Sequence, residues 1–360
     1  MNPIPRWTFR LPKERRVGAR RPAVANGVAH VMFMYDRGDF VNSTLFALDL
    51  ASGAERWSRA IEHIGNEPVL ADGILYWSSF EGSIRALDPD GRTRWESAHA
   101  NASIGVPVLG DGGRLFVSEI AGGAADTWCL DRATGRLLWR FRHGGHTYRL
   151  CYADGRLYHT SVSGGEPAAP LRSALYSLDA ADGRVTWSAP DRDYLFNPIV
   201  LEGQLYVCSS RRLFVLDAAR GRRLAEIELG KTNATHVLAP ASLPDQPVTW
   251  EDNVGQGSDF VTAFSTRTVK RFFGGKGREL IRAWRVEEPR RLCEAPVTLS
   301  GDRLIYLTHD GTLCTLAHAT GERLSEVPLK SGPSEFGGIA VSDAGLLVAH
   351  GRTAFAFDDR

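Results

Sequence analysis

The chain has 360 residues, of which 43% are hydrophobic and 24% charged, so it is neither a disordered chain nor a disulfide miniprotein. Its 43 Lys and Arg residues nearly balance 42 Asp and Glu residues, for a net charge of +1, which argues against a nucleic acid as the main partner. The cysteines are scattered without zinc-ligand spacing and are expected in the core: Cys129, Cys151, Cys208, Cys293 and Cys314.

The N-terminal segment is basic and contains a short alternating pattern. Within residues 6–11, Trp7, Phe9 and Leu11 fall on one face of a predicted strand. The basic residues of 1–21 are not followed by the apolar stretch that a signal peptide or a membrane-spanning helix needs. From this pattern we expect a cytoplasmic protein without membrane association.

An internal repeat organises the chain. Segments 45–57, 127–139 and 175–187 share the pattern Leu-Asp-x-x-(Ser/Thr/Asp)-Gly-x-x-x-Trp, and segment 84–95 is a copy shorter by one residue. Weaker or incomplete copies follow around residues 217–221, 280–284, 317–321 and 355–358. With one long step excepted, the copies are about 40 residues apart, the size of one four-stranded propeller blade. The repeat therefore predicts eight blades.

Each unit also contains a hairpin signal upstream of the motif. Asp72-Gly73, Asp154-Gly155 and Glu202-Gly203 each separate two short apolar runs, and glycine supplies the positive φ that such tight turns need. A unit is thus strand A, a turn, strand B, a loop, strand C with the motif Asp, a Gly turn and strand D with the Trp. Sustained helical periodicity is lacking, so we predict an all-β, eight-bladed propeller of four-stranded antiparallel blades.

The motif resembles that of the PQQ-like β-propeller repeat family, with its tryptophan-docking motif. That family includes eight-bladed quinoprotein alcohol dehydrogenases and the lipoprotein scaffold of bacterial β-barrel assembly. The resemblance covers nearly the whole chain and implies that each Trp packs between neighbouring blades. The Asp and Gly of the motif are expected to form the turn itself.

The two ends of the sequence complement each other. The last unit stops after 355–358, before a strand D, and the pattern at Trp7 supplies one. We therefore expect the N-terminal strand to complete the last blade and close the ring, because closure removes an open sheet edge. Residues 1–360 are predicted to form one propeller domain with an insertion in blade 6 within about 244–276. Within it, Gly274–Gly277 is expected at a hairpin tip.

Loop lengths indicate which face of the propeller binds a ligand. The C–D turns look uniformly short, whereas the B–C loops vary, and they share one face with the D–A connections. We expect partner-binding residues on that face: His63, Asn66, His99, His143, Tyr148, Arg149, Tyr194, Asn197 and Phe336. If the protein is an enzyme, the acid–base candidates are His146, Asp193, His236 and Glu335. The histidines have no diagnostic metal-ligand spacing, so no metal site is predicted.

Three kinds of function remain open from the sequence. The preferred one is a non-catalytic scaffold that binds a protein or peptide through the loop face, without a cofactor, as a monomer within a larger complex. A lyase, isomerase or hydrolase with its active site in the central funnel is the first alternative. The second is a PQQ- and calcium-dependent dehydrogenase, which the resemblance permits, but the chain lacks the adjacent Cys-Cys pair of many such enzymes.

Overall fold

The computed structural model describes residues 4–12, 15–37, 40–61, 63–99, 103–120, 125–147, 149–164, 171–229, 233–238, 246–252, 258–270, 276–293 and 297–358. All the regular secondary structure in these ranges consists of β-strands. Accordingly, they include no helix that is long and apolar enough to span a membrane.

The strands of the first half follow the chain from the N-terminal strand through blade 4. They are β1 (Trp7–Arg10), β2 (Arg15–Ala19), β3 (Ala23–Ala25), β4 (Val28–Arg37), β5 (Phe40–Asp49), β6 (Glu55–Ile61), β7 (Val69–Ala71), β8 (Ile74–Ser78), β9 (Ser83–Leu87), β10 (Thr93–Ala98), β11 (Val108–Gly110), β12 (Arg114–Ser118), β13 (Ala125–Asp131), β14 (Leu137–His143), β15 (Leu150–Ala153), β16 (Arg156–Ser163), β17 (Arg172–Asp179) and β18 (Val185–Asp191).

The second half continues with blades 5 to 8. Its strands are β19 (Leu195–Leu201), β20 (Gln204–Ser209), β21 (Arg212–Asp217), β22 (Arg223–Glu228), β23 (Asn233–Leu238), β24 (Val248–Asp252), β25 (Asp259–Lys270), β26 (Lys276–Glu288), β27 (Thr298–Ser300), β28 (Arg303–Leu307), β29 (Thr312–Ala317), β30 (Arg323–Pro328), β31 (Gly337–Ser342), β32 (Gly345–His350) and β33 (Thr353–Phe357).

These strands form eight antiparallel sheets, one per blade, and the predicted fold class is confirmed. Blades 2 to 7 each use four consecutive strands, and in blade 1 the inner strand is divided into β2 and β3, which both pair with β4. In blade 8, β31, β32 and β33 are completed by β1, with Trp7 opposite Ala356 and Arg10 opposite Thr353. The N-terminal strand therefore closes the ring, as its alternating pattern predicts.

Tryptophans on the outer strands join six of the eight blades to the next one. In six cases the indole N–H donates to a backbone carbonyl of the following blade at 2.8–3.0 Å. The pairs are Trp7 with Leu50, Trp57 with Pro89, Trp95 with Arg132, Trp139 with Ala180, Trp187 with Ala218 and Trp284 with His318. The Trp7 contact joins blade 8 to blade 1, so the ring closes with the same contact that joins five other pairs of neighbouring blades.

The motif glycine is the surface on which each indole rests. Gly183 has a φ of 76°, and a Cβ placed there would lie 2.6 Å from Cε3 of Trp139. Glycine is therefore required for two reasons, the left-handed turn and the close approach of the ring.

The apolar clusters also join neighbouring blades, since one of them combines Ile84 of blade 2 with Leu115 of blade 3. The core of this protein thus lies between blades.

Blade 6 differs from the pattern predicted for it. The segment ending at Trp284 reads as a copy of strand C, but Trp284 lies in the outer strand β26 and pairs with Ala263 of β25. The β25–β26 hairpin continues to the pair Lys270–Lys276, so one C–D hairpin is long where uniformly short turns are predicted. Ala225 of blade 5, at the position of a docking Trp, packs instead in a cluster with Phe264 and Leu280.

Candidate functional site

The predicted binding residues lie in or beside the D–A connections, on the face that also carries the B–C loops. This face is called the loop face below. Tyr148 lies outside the residues that the structure describes, and His236 belongs to β23 with its side chain likewise outside them. The remaining candidates occupy several separate environments rather than one.

An ion pair between two inner blade ends occupies the mouth of the central channel. Nη1 and Nη2 of Arg149 donate to the two carboxylate oxygens of Glu67 at 3.0 and 2.7 Å. Glu67 precedes the inner strand of blade 2 and Arg149 that of blade 4, so the pair passes the inner end of blade 3. Residues two blades apart touch in this way only near the axis, where the ring is narrowest.

Further arginines surround this carboxylate. Burial alone would raise the pKa of Glu67, but Arg149, with contributions from Arg21 and Arg20, lowers it below its usual value. The guanidinium of Arg20 also lies 5.2 Å from the ring centre of Phe336, within the range of a cation–π contact. Within the described residues, Glu67 therefore lies among several guanidinium groups at the inner ends of the blades.

Two predicted asparagines lie at the same level of the ring. Nδ2 of Asn66 donates to the Ile104 carbonyl at 2.6 Å and to the Ser78 hydroxyl at 3.0 Å, so this side chain ties blade 2 to blade 3. Asn197 is 9% exposed, and its Oδ1 has no hydrogen-bond partner among the described residues. Asn66 is thus a structural contact between two blades, whereas Oδ1 of Asn197 is buried without such a contact.

His143 belongs to a buried aromatic cluster between blades 3 and 4. Its ring centre lies 4.8 Å from that of His159, and its Nε2 is 3.2 Å from Oγ1 of Thr127. His159 packs in turn on Tyr176 at 5.1 Å. Burial, the largest cause, lowers the pKa of His143 to about 4, and burial together with His143 lowers the pKa of His159 well below its usual value. Both rings are therefore neutral at pH 7.

Acidification is expected to weaken the packing at His143. The unfolded chain binds a proton here near pH 6.5 and the folded chain only near pH 4, so the stabilisation is complete above pH 6.5 and is lost as the pH falls toward 4. We expect a loss of about 2 kcal/mol between pH 7 and pH 5. Urea unfolding at both pH values measures it, with the variant His143→Gln as the control that lacks this contribution. An equal pH dependence in that variant would contradict the assignment.

Two other predicted histidines make local contacts. His99 stacks on Trp128 with ring centres 4.4 Å apart, and burial lowers its pKa. His63 pairs with Glu81. Between blades 4 and 5, Tyr194 packs on Phe196 with ring centres 5.3 Å apart. These contacts order the loops, and the histidines do not converge on one point.

The three acid–base candidates whose side chains the structure describes do not form one cluster. Nδ1 of His146 donates to the Ile120 carbonyl at 2.7 Å. Asp193 accepts from Nε of Arg212 at 3.0 Å and from the Ser209 hydroxyl at 3.2 Å. Glu335 is exposed. Among the described side chains of this set, none contacts another.

One group of side chains has the composition of a metal site, between blades 6 and 7. It consists of Glu288, Cys314 and Glu326. Glu288 already accepts from Arg290 at 2.5 Å and from the Tyr306 hydroxyl at 2.8 Å. Arg323 donates to the same carboxylate at 3.0 Å. Two guanidinium groups at this distance repel a cation, so the cluster is an inter-blade ion-pair network.

Glu67 is the residue of the candidate site that the motif search misses. It stands directly before Pro68-Val69, at the position in blade 2 that Arg149 occupies before Leu150 in blade 4. A comparison of equivalent positions between blades gives a signal. Blade 2 has a carboxylate at this position and blade 4 has a guanidinium, and the structure brings these two opposite charges into contact.

Comparison with known proteins supports the predicted family. Residues 80–272 match the family model PQQ_2, described as outer membrane protein assembly factor BamB. Outer membrane protein assembly factor BamB of Xanthomonas campestris pv. campestris is 28% identical over 180 residues, which cover 46% of this chain and 41% of that protein. The chain thus matches about two fifths of the length of this curated relative. The resemblance stated from the repeat is confirmed.

Solved structures share the fold. BamB from Moraxella catarrhalis superposes with a TM-score of 0.68 at 16% identity, over 99% of this chain and 100% of that chain. Quinohemoprotein alcohol dehydrogenase ADHIIG from Pseudomonas putida HK5 gives a TM-score of 0.63 at 15% identity, over 96% and 72%. At such identities the likeness concerns the fold alone.

The cytoplasmic location expected from the sequence is wrong. The matching family model and the curated relative are both described as an outer membrane protein assembly factor, which also leaves the predicted exclusion of a membrane without support. The prediction relied on the lack of an apolar stretch after the basic residues of the N-terminal segment, but Trp7–Arg10 of that segment is a folded strand of the ring. A strand that closes a propeller carries no information about the compartment.

The quinone cofactor of the dehydrogenase neighbours does not fit the described residues at the channel mouth. Calcium needs six to eight oxygen ligands, and the carboxylate found there, Glu67, is bound on both oxygens by Arg149. We therefore derive no redox step for this chain.

Proposed function

Because this chain belongs to the propeller family of outer membrane protein assembly factor BamB, we propose that it is a non-catalytic scaffold that binds a partner protein through its loop face. The partner is a component of outer membrane protein assembly, as the names of its relatives suggest.

The Glu67–Arg149 pair carries the proposal. A funnel enzyme needs an open, water-excluding pocket at the axis with polar groups directed toward a substrate. Here the axial carboxylate and guanidinium satisfy each other in a bidentate pair, which is among the stronger side-chain contacts. We therefore expect a ligand to bind the outer surface of the loop face and not the axis of the ring.

The separate positions of His146, Asp193 and Glu335 support the same function. An acid–base pair has to lie within hydrogen-bond reach of one reacting atom, and these side chains make their contacts in different loops. Loops that vary on a rigid ring suit the recognition of another protein.

Site-specific photo-crosslinking in the native host tests this proposal. A benzophenone amino acid is placed on the loop face at Glu335 or Arg211, both exposed. The matched controls carry it on the opposite face at Asp154 or Glu202, exposed residues of A–B turns. We expect a discrete protein adduct from the loop-face positions alone. Adducts from the opposite face only, or none from any position, would refute the scaffold function.

A further inference from the structure

We propose that a buried histidine pair between blades 3 and 4 controls the axial ion pair of Glu67 and Arg149, so that acid separates this ion pair while the ring stays folded. The histidine pair consists of His143 and His159. The D–A connection 143–149 runs from His143 to Arg149, and residues 143–147 and 149 of it are described. This inference goes beyond the proposed function, because it concerns a change of shape that needs no partner protein.

The connection lies along β16, the strand that carries His159. At its start, the ring of His143 contacts the ring of His159, with centres 4.8 Å apart. Polar contacts of 2.7–3.0 Å between the connection and β16 follow: the Ser161 hydroxyl with the Gly144 carbonyl, the backbone of His146 with that of Val162 in both directions, and the Thr147 hydroxyl with the Thr160 carbonyl. The histidine pair is therefore the first in a row of contacts that hold this connection in place.

The other end of the connection carries the arginine of the axial ion pair. Arg149 follows Thr147 by two residues and donates to both carboxylate oxygens of Glu67, at 3.0 and 2.7 Å. It reaches a residue two blades away, so its direction depends on where the connection lies. Hydrogen bonds weaken steeply when their angle falls below about 120°. A connection that leaves β16 therefore loses the bidentate contact.

The histidine pair has no place for a positive charge. His143 is 4% exposed and His159 0%, and within the described residues Nδ1 of His143 and both ring nitrogens of His159 have no hydrogen-bond partner. Burial lowers the pKa of His143 to about 4. A proton on either ring is a buried charge, and a second proton adds repulsion between the rings. Acid therefore favours a state in which the two rings are separated and hydrated.

The groups packed around the pair do not reverse this preference. Asp126 of β13 favours the protonated form of His143, but it is already paired with Arg142 at 3.2 Å and with Arg140 at 3.6 Å. The Thr160 backbone opposes the lowering of the pKa of His159 without cancelling it. The other polar or titratable neighbours are Glu119, which accepts from the Asp126 amide, Tyr176, stacked on His159, and His146, bound to the Ile120 carbonyl.

The axial carboxylate does not itself titrate in the same pH range. Burial alone would raise the pKa of Glu67, but Arg149, Arg21 and Arg20 lower it below its usual value. Glu67 is therefore still charged at pH 5. Separation of the ion pair between pH 7 and pH 5 comes from the histidine pair.

Hydrogen exchange measured by mass spectrometry at pH 7 and pH 5, corrected for the intrinsic pH dependence of exchange, tests this inference. We expect the protection of segment 144–150 to fall about twentyfold, the value that linkage gives for His143 alone with a pKa of 6.5 when open and about 4 when closed. Segment 208–212 of blade 5 is the internal control. There the Ser210 amide makes the same kind of contact with the Tyr194 carbonyl, at 3.0 Å, and we expect its protection to be unchanged.

Two sets of variants identify the groups responsible. In His143→Gln/His159→Gln the pH effect on segment 144–150 should disappear, whereas His30→Gln, which removes a histidine of similar burial and pKa in blade 1, should keep it. Coupling between two sites is reciprocal. Glu67→Gln should therefore lower the protection of segment 144–150 at pH 7 and move its opening to higher pH, and Glu335→Gln, at an exposed residue of the same face, should do neither.

The inference is overturned if segments 144–150 and 208–212 lose protection in parallel, because acid would then loosen the whole ring. It is also overturned if the double glutamine variant keeps the pH effect, or if Glu67→Gln leaves the exchange of segment 144–150 unchanged. Thermal unfolding at pH 7 shows whether the double variant folds. If it does not, the comparison of the wild-type chain with Glu67→Gln and His30→Gln still decides the question.

Discussion

Deletion of residues 1–12 is expected to open the ring and make the protein aggregate. The deletion removes β1, which pairs with β33 along four residues, and Arg6, whose amide donates to the Ala356 carbonyl at 2.7 Å. It also removes Trp7, which joins blade 8 to blade 1 through the Leu50 carbonyl. The edge of β33 then presents unpaired backbone groups to solvent, and such an edge pairs with other chains.

Size-exclusion chromatography with light scattering, together with thermal unfolding, measures this effect. The matched control deletes residues 1–4, which removes Ile4, 89% exposed, and leaves β1 in place. We expect the shorter deletion to be monomeric and as stable as the full chain, and the longer one to form soluble oligomers or precipitate. A monomeric 13–360 fragment with an unchanged unfolding midpoint would show that closure by β1 contributes little.

The closure is an example of what the sequence predicts well. The alternation of Trp7, Phe9 and Leu11 identifies a strand, and the missing last strand of the final unit identifies its place. Both signals are local, because a strand pattern extends over a few residues. The number of blades follows in the same way, since each Asp-x-x-x-Gly turn is specified by its own residues.

Blade 6 shows where the local signals fail. Ala-Trp284 resembles the start of a strand C motif, but the position of a docking Trp depends on its partner in the next blade. That partner is Gly321, on which the ring of Trp284 rests. A pattern search within one repeat unit has no information about the contact between Trp284 and the next blade, so it assigns the Trp to the wrong strand.

The candidate site is predictable only in part for a related reason. Arg149 is found because D–A connections are polar, but Glu67 lies 82 residues away in the chain. The repeat puts both residues at the same level, and eight inner ends allow many pairings at that level. Which two meet depends on side-chain lengths and on the residue between them, quantities that the repeat pattern does not contain.

Replacement of Trp139 by Ala is expected to cost about 3–5 kcal/mol of unfolding free energy, the usual range for removing a large buried aromatic side chain. Trp139 is 9% exposed, donates to the Ala180 carbonyl at 3.0 Å and lies 5.8 Å from the ring of Phe116. The change leaves a cavity between blades 3 and 4, which blades held at either side by their neighbours cannot close.

Chemical unfolding of three variants separates the components of this contact. Leu138 precedes Trp139 in the same strand and is 40% exposed. The variant Leu138→Ala should therefore change the free energy of unfolding by less than about 0.5 kcal/mol. Trp139→Phe retains most of the ring area and removes the N–H, so it should lose more than Leu138→Ala and less than Trp139→Ala. If Trp139→Ala costs no more than Leu138→Ala, the indole is not an anchor between blades.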